Sequence, residues 1–244
     1  MRDPDWKTAD GRIRLYLGDA LDLLSSITDC SVVVTDPPYG IGWTRGANPA
    51  NPRGASKAHK GIAGDQDTSA RDEALRLTAG LPAVVFGSFY APFPVNLKQI
   101  LVWQKPPDAG LVGSVTGFRR DAEPIFLVGP WPTRTCKASS VFRTTRGQAS
   151  IVKETGHPHT KPVDLIVELL GYCPDGGILD PFMGSGTSGV ASILAGRPFV
   201  GIELDEKYFD VSVKRIESAM NQYSLFEKVP KVVMSQKLLF ARSD

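Results

Sequence analysis

Short apolar runs alternate along the chain with stretches in which apolar residues recur at helical spacing. The apolar runs that predict strands lie at 13–17, 31–35, 83–87, 100–104, 125–128, 177–179 and 199–202. The stretches that predict helices begin at Gly18-Asp19 and continue at 67–77, 162–170, 188–195 and 206–220. Because short apolar strands separated by helices are typical of α/β proteins, the pattern predicts a doubly wound, mostly parallel, seven-stranded sheet.

Two stretches interrupt this alternation within what we expect to be a single domain at 1–244. Residues 41–64 are rich in Gly, Pro, Ala and Asn and show no period, which predicts a long loop that is functional or mobile. Between 130 and 156, polar and basic residues dominate and apolar anchors are few, which predicts an insertion or a small subdomain. Residues 221–244 form a C-terminal tail.

Composition places the chain among folded globular proteins, with 42% hydrophobic and 22% charged residues. The net charge of +2 does not by itself indicate which partner the protein binds, since nucleic-acid binding depends on where basic groups cluster. Cys30, Cys136 and Cys173 lie far apart without ligand spacing, which predicts reduced thiols and no structural zinc. No stretch approaches the roughly 18 apolar residues of a membrane span, and the N-terminus lacks the apolar region of a signal peptide. We therefore expect a cytoplasmic protein.

The stretch ILDPFMGSGTSGVAS, at 178–192, joins a predicted strand to a predicted helix. Its glycines Gly184, Gly186 and Gly189 follow the spacing GxGxxG, which permits a tight turn and brings a ligand close to the backbone at a helix N-terminus. By itself this pattern fits a NAD-dependent oxidoreductase equally well, or a tight turn with no ligand.

Two carboxylates narrow the choice of ligand. Glu203 ends the next predicted strand, where it can accept both hydroxyls of a ribose, in NAD and in S-adenosylmethionine alike. Asp180, just before the glycines, would attract a sulfonium or ammonium group and would fit poorly beside a pyrophosphate. The stretch therefore favours a cofactor that has a positive centre and a small carboxylate.

A second motif, TDPPYG at 35–40, follows the apolar run 32–34. Proline favours an extended residue before it and has no N–H, so Asp36-Pro37-Pro38 should end the strand in a stiff segment. The Asp36 carboxylate and nearby backbone carbonyls are acceptors, and Tyr39 offers a flat ring. Such a group suits a planar amine, although Asp36 alone also fits a turn or a helix cap.

The amine of adenine or cytosine is a poor nucleophile because its lone pair is delocalised into the ring. If Asp36 and the Pro37 carbonyl each accept one N–H while Tyr39 stacks on the base, the lone pair faces an incoming methyl group. A separation of about 3–3.5 Å is the near-attack arrangement for such a displacement. Asp36 would stabilise the positive charge that develops on the nitrogen.

The two motifs together resemble those of the beta-class DNA amino-methyltransferases, which use S-adenosylmethionine. DPPYG at 36–40 precedes DPFMGSGT at 180–187, and HPHTKPVDL at 157–165 stands just upstream of the cofactor strand. The resemblance covers about 18–220 and implies a Rossmann-like methyltransferase fold with a target-recognition insertion at 130–156. The family usually has HPTxKP, whereas here an extra residue, His159, stands between Pro158 and Thr160.

The resemblance implies a role for individual residues. The target base is assigned to Asp36, Pro37, Pro38 and Tyr39. The cofactor is assigned to Asp19, Ala20, Asp36, Thr160, Lys161, Pro162, Asp180, Pro181, Phe182, Gly184, Gly186, Thr187, Glu203 and Leu204. Lys161 is a candidate partner of the cofactor carboxylate, and the alternative is a solvated cation at a helix start. His157 and His159 are interpreted as structural.

Within this family an aspartate at the first position of DPPYG leans toward adenine N6, with cytosine N4 as the alternative. The sequence therefore predicts an enzyme that methylates adenine N6 in double-stranded DNA. A NAD-dependent oxidoreductase would leave DPPYG unexplained, and a DNA-binding protein without activity has no support from the intact motif.

Two segments carry basic residues with few or no acidic ones. The residues predicted to contact DNA are Arg45, Arg53, Lys57 and Lys60 in the loop, and Arg134, Lys137, Arg143 and Arg146 in the insertion. They suit phosphate contacts and base readout, and solubilising surface charge is the alternative reading. An amine inside a duplex is out of reach, so base flipping is implied.

Further partners are hypotheses from the size of the insertion and from the tail. The insertion is short, which indicates limited DNA contact per subunit and suggests a homodimer that shares recognition. The tail contains QYSLF, Gln222 to Phe226, and QKLLF, Gln236 to Phe240, which resemble peptides that dock on bacterial sliding clamps. The alternative is that their apolar residues pack against the core. No membrane association is expected.

Overall fold

The computed structural model describes residues 2–41, 65–106, 118–119, 121–133, 137–144 and 160–227, with side chains as far as 222. The predicted basic loop, apart from residue 41, lies outside the described residues. Parts of the insertion at 130–156 and most of the C-terminal tail lie outside them as well.

One sheet of nine strands runs through the described part of the chain, in the order β1-β2-β9-β8-β3-β4-β6-β5-β7. The strands are β1 (Trp6–Lys7), β2 (Ile13–Leu17), β3 (Val32–Thr35), β4 (Ala83–Phe86), β5 (Leu97–Gln104), β6 (Ala122–Val128), β7 (Val141–Arg143), β8 (Ile178–Asp180) and β9 (Phe199–Glu203). Strands β2, β9, β8, β3 and β4 are parallel, and β6 is antiparallel to both β4 and β5. All seven predicted strands are present. The expected strand count of seven was too low because two short edge strands, β1 and β7, extend the sheet.

Helices cover both faces of the sheet. They are α1 (Ala20–Leu23), which continues as a 3-10 turn at Leu24–Ser26, α2 (Ser69–Leu77), α3 (Val163–Leu170), α4 (Thr187–Leu194) and α5 (Glu206–Glu227). Each begins and ends close to its predicted position, although α5 extends further. None of the described helices is long and apolar enough to cross a membrane.

The middle strand β3 shows how the sequence builds two cores. Side chains alternate between the faces of a strand, so Val32 and Val34 join the core beneath α3, α4 and α5, whereas Val33 joins the core beneath α1 and α2. All three valines are buried. A strand covered on both faces therefore reads as a continuous apolar run, as predicted.

Strand β7 lies within the segment that lacks a clear apolar pattern. Its residues pair in parallel with Val102–Gln104 at the end of β5, and Phe142 is only 6% exposed within the larger core. The indole Nε1 of Trp103 donates a hydrogen bond to Thr144 Oγ1 at 3.0 Å, which ties the end of this strand to β5. Part of the predicted insertion thus belongs to the main sheet.

The chain leaves the sheet in opposite directions between β8 and β3, which are neighbours. From β8 it passes through α4 to β9 on one side, and from β3 it passes through α2 to β4 on the other. In open α/β sheets, ligands bind beyond the carboxyl ends of the strands at such a switch point. Thr35 and Asp180 are the last residues of β3 and β8, so both predicted motifs begin there.

The docking of β7 is tested by shortening its buried aromatic residue. Phe142→Ala should lower the free energy of unfolding by about 3 kcal/mol, because it removes a buried ring and leaves a cavity. Urea denaturation gives the difference, and Lys137→Ala, at an exposed side chain before β7, is the control. A loss no larger than that of the control would show that β7 is not packed on β5.

Candidate active site

The predicted carboxylates converge on one edge of the sheet. Asp36 follows β3, Asp180 ends β8 and Glu203 ends β9. Asp19 follows β2 and caps α1, where its Oδ1 accepts a hydrogen bond from the backbone N–H of Leu21 at 2.9 Å. Since these four strands are parallel, their carboxyl ends lie side by side, and the two motifs meet there as predicted.

The DPPYG segment is fixed at both ends. Tyr39 folds back so that its hydroxyl donates to Asp36 Oδ1 at 2.8 Å. The backbone N–H of Gly40 donates to the buried Asp65 at 2.8 Å. Gly40 has a φ of +71°, and a Cβ there would lie 2.5 Å from the backbone carbon of Asp67. Only glycine fits this turn, so the sequence of the motif holds Asp36 and Tyr39 in place.

Lys161, just before α3, completes the group around Asp36. Its Nζ donates to Asp36 Oδ2 at 2.8 Å and to Tyr39 Oη at 2.9 Å. The side chain is 6% exposed, so the reading of Lys161 as a solvated cation is wrong. Burial disfavours the ammonium, but Asp36 and Glu123 outweigh it, and the pKa of Lys161 is raised. Burial and the Asp36 charge likewise raise the pKa of Tyr39, which keeps its hydroxyl a donor.

Two charged residues that the sequence reasoning missed adjoin this group. Glu123 Oε2 lies 3.6 Å from Lys161 Nζ, and Glu123 Oε1 lies 2.5 Å from Lys105 Nζ. Because β6 runs antiparallel to β4, its first residues lie at the edge where the parallel strands end. The one sign of this in the sequence is that Glu123 stands at the start of the apolar strand β6. That position does not show which cation Glu123 pairs with.

Asp180 joins the two motifs directly. Its side chain is 2% exposed, and Oδ1 accepts hydrogen bonds from Thr35 Oγ1 at 2.7 Å and from the backbone N–H of Phe182 at 3.1 Å. Burial raises the pKa of Asp180 to about 7, against the opposing effect of hydrogen bonds from Ser188, Thr35 and Phe182. The last residue of β3 therefore touches the carboxylate that begins the glycine-rich turn.

The glycine-rich turn is also held against the end of β9. The backbone N–H of Gly184 donates to Glu203 Oε2 at 2.8 Å, and that of Asp205 donates to Oε1 at 2.8 Å. Burial raises the pKa of Glu203. Gly184 has a φ of +52° and faces open space where a Cβ would lie, whereas a Cβ on Gly186 would lie 2.8 Å from that of Ser212. One glycine leaves room at the surface of the turn, and the other permits close packing on α5.

Further contacts brace the turn from behind. Thr160 Oγ1 lies 3.4 Å from Ser185 Oγ, and Arg215 of α5 donates to the Ser185 carbonyl at 2.5 Å and to Thr187 Oγ1 at 3.2 Å. Arg215 was not predicted, because one arginine on an amphipathic helix has no distinguishing pattern. Among the other residues assigned to the cofactor, Ala20 and Pro181 are buried, Pro162 is the N-cap of α3, and Leu204 is exposed.

The predicted DNA contacts are described only in part. Lys137 is exposed, and the exposed Arg143 donates from Nε to Gln104 at 2.8 Å. Arg45, Arg53, Lys57, Lys60, Arg134 and Arg146 lie outside the described residues, as do His157 and His159. The tail peptide at 236–240 and the side chains at 223–226 lie outside them too. For these residues the DNA, dimer and clamp contacts stay predictions.

Residues 129–214 match a family model described as DNA methylase, of the N6/N4 type. The chain is 26% identical over 273 residues to the type II methyltransferase M.ScaI of Streptomyces caespitosus. The alignment covers 88% of this chain and 84% of M.ScaI. It is 31% identical over 150 residues to the DNA adenine methyltransferase YhdJ of Escherichia coli K12, over 60% of this chain and 50% of YhdJ. This chain is related to the DNA amino-methyltransferases.

Solved structures of DNA methyltransferases share the fold of this chain. M1.HpyAVI in complex with S-adenosylmethionine superposes with a TM-score of 0.57 at 20% identity, over 83% of this chain and 99% of that one. The cytosine-N4-specific PvuII methyltransferase superposes with a TM-score of 0.62 at 15% identity, over 91% and 94%. The predicted Rossmann-like methyltransferase fold is thereby confirmed.

The buried Asp180 makes stability depend on pH. Its folded-state pKa of about 7 exceeds the ordinary 3.8, so the stability that its proton contributes is present at acid pH and lost as pH rises through about 7. Replacing the carboxylate by an amide removes this loss. The unfolding free energy of Asp180→Asn, relative to the parent, should rise by roughly 2–3 kcal/mol between about pH 5 and pH 9.

Chemical denaturation across this pH range measures the effect. Asp210→Asn, at an exposed carboxylate on α5, is the matched control and should change the pH dependence little. An Asp180→Asn difference that stayed constant with pH would contradict a raised pKa at this position.

Proposed function

We propose that this protein transfers a methyl group from S-adenosylmethionine to the N6 amine of an adenine that is flipped out of double-stranded DNA. The observation that carries the proposal is the hydrogen bond between Thr35 Oγ1 and Asp180 Oδ1 at 2.7 Å. It brings the start of the acceptor segment Asp36–Tyr39 against the start of the glycine-rich turn, at the switch point of the sheet. A donor and an acceptor bound to these two segments would meet there.

The residues around the glycine-rich turn fit S-adenosylmethionine. When bound, S-adenosylmethionine supplies an electrophilic methyl group on a positively charged sulfur. Asp180 is a buried carboxylate that accepts hydrogen bonds from the neutral hydroxyl of Thr35 and the backbone amide of Phe182, so a cation nearby would favour its charged form. Gly184 leaves open space, and Glu203 at the end of β9 is the acceptor proposed for the ribose hydroxyls. Asp19 at the end of β2 lies at the same edge.

Asp36 is proposed to hold the target amine. One of its oxygens accepts from Tyr39 and the other from Lys161, which fixes the carboxylate. A carboxylate has about four acceptor sites, so capacity remains for an N–H of the base. The Pro37 carbonyl is the proposed second acceptor, because proline leaves the adjacent backbone without a competing donor. The lone pair of the amine nitrogen would then be directed away from both acceptors.

The chemical contribution of Asp36 is electrostatic. The amine nitrogen would gain positive charge as its bond to the methyl carbon formed and the carbon–sulfur bond broke, which would leave a neutral thioether. A carboxylate fixed beforehand would stabilise that charge at little cost of reorganisation. The proton can leave after the transfer. Tyr39 is proposed to stack on the base, and its hydroxyl bond to Asp36 would then fix the orientation of its ring.

Methylation of cytosine N4 is the second candidate. Cytosine presents the same planar amine, and the PvuII enzyme, which has this fold, is described as cytosine-N4-specific. Adenine is favoured because DPPYG begins with aspartate and because YhdJ, which is described as a DNA adenine methyltransferase, is a relative.

Double-stranded DNA is the proposed partner, and the cytoplasm the proposed compartment. The free thiols Cys30 and Cys173 are compatible with a reducing compartment. The basic segments at 41–64 and 130–156 are proposed to contact the DNA. A homodimer that shares recognition and docking of a tail peptide on a sliding clamp are further proposals from the sequence.

The identity of the methylated base is measured directly. The protein is incubated with S-adenosylmethionine that carries a labelled methyl group and with unmethylated mixed-sequence duplex DNA. After digestion to nucleosides, mass spectrometry should show the label in N6-methyladenine. Label in N4-methylcytosine would replace adenine by the second candidate, and no labelled nucleoside at all would contradict DNA methylation.

Removal of the Asp36 carboxylate tests its role. Asp36→Ala and the closer-shaped Asp36→Asn should each lower the rate of methyl transfer by about 100-fold or more, because stabilisation of the developing charge is lost. S-adenosylmethionine affinity, measured by calorimetry, should change little. The control is Asp29→Ala. It removes a half-exposed carboxylate that pairs with Arg14 and lies before β3. Retained activity in both Asp36 variants would reject the assignment.

A further inference from the structure

Four charged side chains form a row of alternating sign that ends at Asp36. Lys105, after β5, lies 2.5 Å from Glu123 of β6, and Glu123 lies 3.6 Å from Lys161. Lys161 lies 2.8 Å from Asp36. Three different segments of the chain, at β5, β6 and the start of α3, thus supply the charges behind the proposed acceptor.

The innermost cation of the row poses an electrostatic problem. Lys161 is buried at 6% exposure, and the rings of Tyr39 and Phe86 lie 5.3 and 5.2 Å from its Nζ. Asp36 and Lys161 by themselves make a neutral pair, and a neutral pair gives little stabilisation to a positive charge that develops beside it. The ammonium behind the carboxylate would cancel part of the attraction that the carboxylate exerts on the amine.

Glu123 changes this balance. With Glu123 the inner group of Asp36, Lys161 and Glu123 has a net charge of −1. Lys105 restores neutrality from the far end of the row, where its side chain is 20% exposed and water screens it more than it screens Lys161. Lys161 is also attracted by two carboxylates, those of Asp36 and Glu123, instead of by Asp36 alone.

We propose that Glu123 is a positioning residue for methyl transfer: it holds Lys161 between two carboxylates so that Asp36 acts on the amine as a negatively charged acceptor. The inference rests on the proposed function of Asp36. It assigns a role to a residue that neither motif contains. Glu123 is expected to act through Lys161, without touching the base or the cofactor.

The variant Glu123→Gln preserves shape and an acceptor oxygen but removes the charge. It should lower kcat by about 10-fold to 100-fold, because a charge aimed at the transition state is lost. KM for the DNA that the parent methylates, and affinity for S-adenosylmethionine, should change less than about 2-fold, since Glu123 binds neither. The number of S-adenosylmethionine molecules bound per protein, from the same calorimetry, gives the folded fraction. A fall in kcat at constant KM with unchanged binding stoichiometry separates this role from a general loss of structure.

A double-mutant cycle with Lys161 tests the route of the effect. In a Lys161→Met background, Glu123→Gln should change kcat by less than about 2-fold, because the ammonium through which Glu123 acts on Asp36 is absent. Glu123→Asp keeps the charge on a shorter side chain and should be faster than Glu123→Gln; it also serves if the amide variant fails to fold. Asp121→Asn breaks the nearby exposed pair with Arg119 and is the control that should leave kcat unchanged.

The outcomes separate the inference from the function on which it rests. Absence of methyl transfer by the parent protein would overturn both. Normal transfer by the parent together with an unchanged kcat in Glu123→Gln would overturn the inference alone. The same loss of kcat with and without Lys161 would also overturn it, because Glu123 would then act by another route.

Discussion

The contact on which the site depends is the one between the ends of β3 and β8. Thr35 and Asp180 are both buried, and their hydrogen bond joins two strands from which the chain leaves in opposite directions. Parallel pairing of Val32 with Ile178 and of Val33 with Leu179 sets the register that makes this contact possible. A one-residue slip would turn Thr35 to the other face of the sheet and separate the two motifs.

Burial of charge is the second constraint. Asp36 and Asp180, at the ends of β3 and β8, meet it differently. Asp36 is paired with a buried ammonium, and that ammonium is shared with Glu123. Asp180 accepts hydrogen bonds from hydroxyl and amide donors, and burial raises its pKa to about 7. The first carboxylate is therefore fixed in place, whereas the second gains most from a positively charged ligand. These environments suit an acceptor of an amine and a neighbour of a sulfonium.

The elements that the sequence predicted are those whose pattern is local. The seven predicted strands are short apolar runs, of which β3, β4 and β8 are buried along their whole length. Each predicted helix has an apolar side at helical spacing, so neither kind of element needed knowledge of its neighbours. β7 escaped prediction because it has three residues, and Phe142 is buried only where Trp103 and β5 lie against it. The burial of Lys161 escaped prediction for the same reason, since nothing nearby in sequence indicates it.

The sequence by itself determined the strand ends at which the two motifs lie, because proline, glycine and aspartate constrain the backbone within a few residues of themselves. DPPYG and the glycine-rich turn could be recognised on that basis. Only the tertiary structure decided which charges surround them. Glu123 reaches the site because β6 runs antiparallel to β4, and Arg215 reaches the turn because α5 packs against α4. Ionic partners far apart in the chain are selected by strand direction and helix packing, which no local pattern encodes.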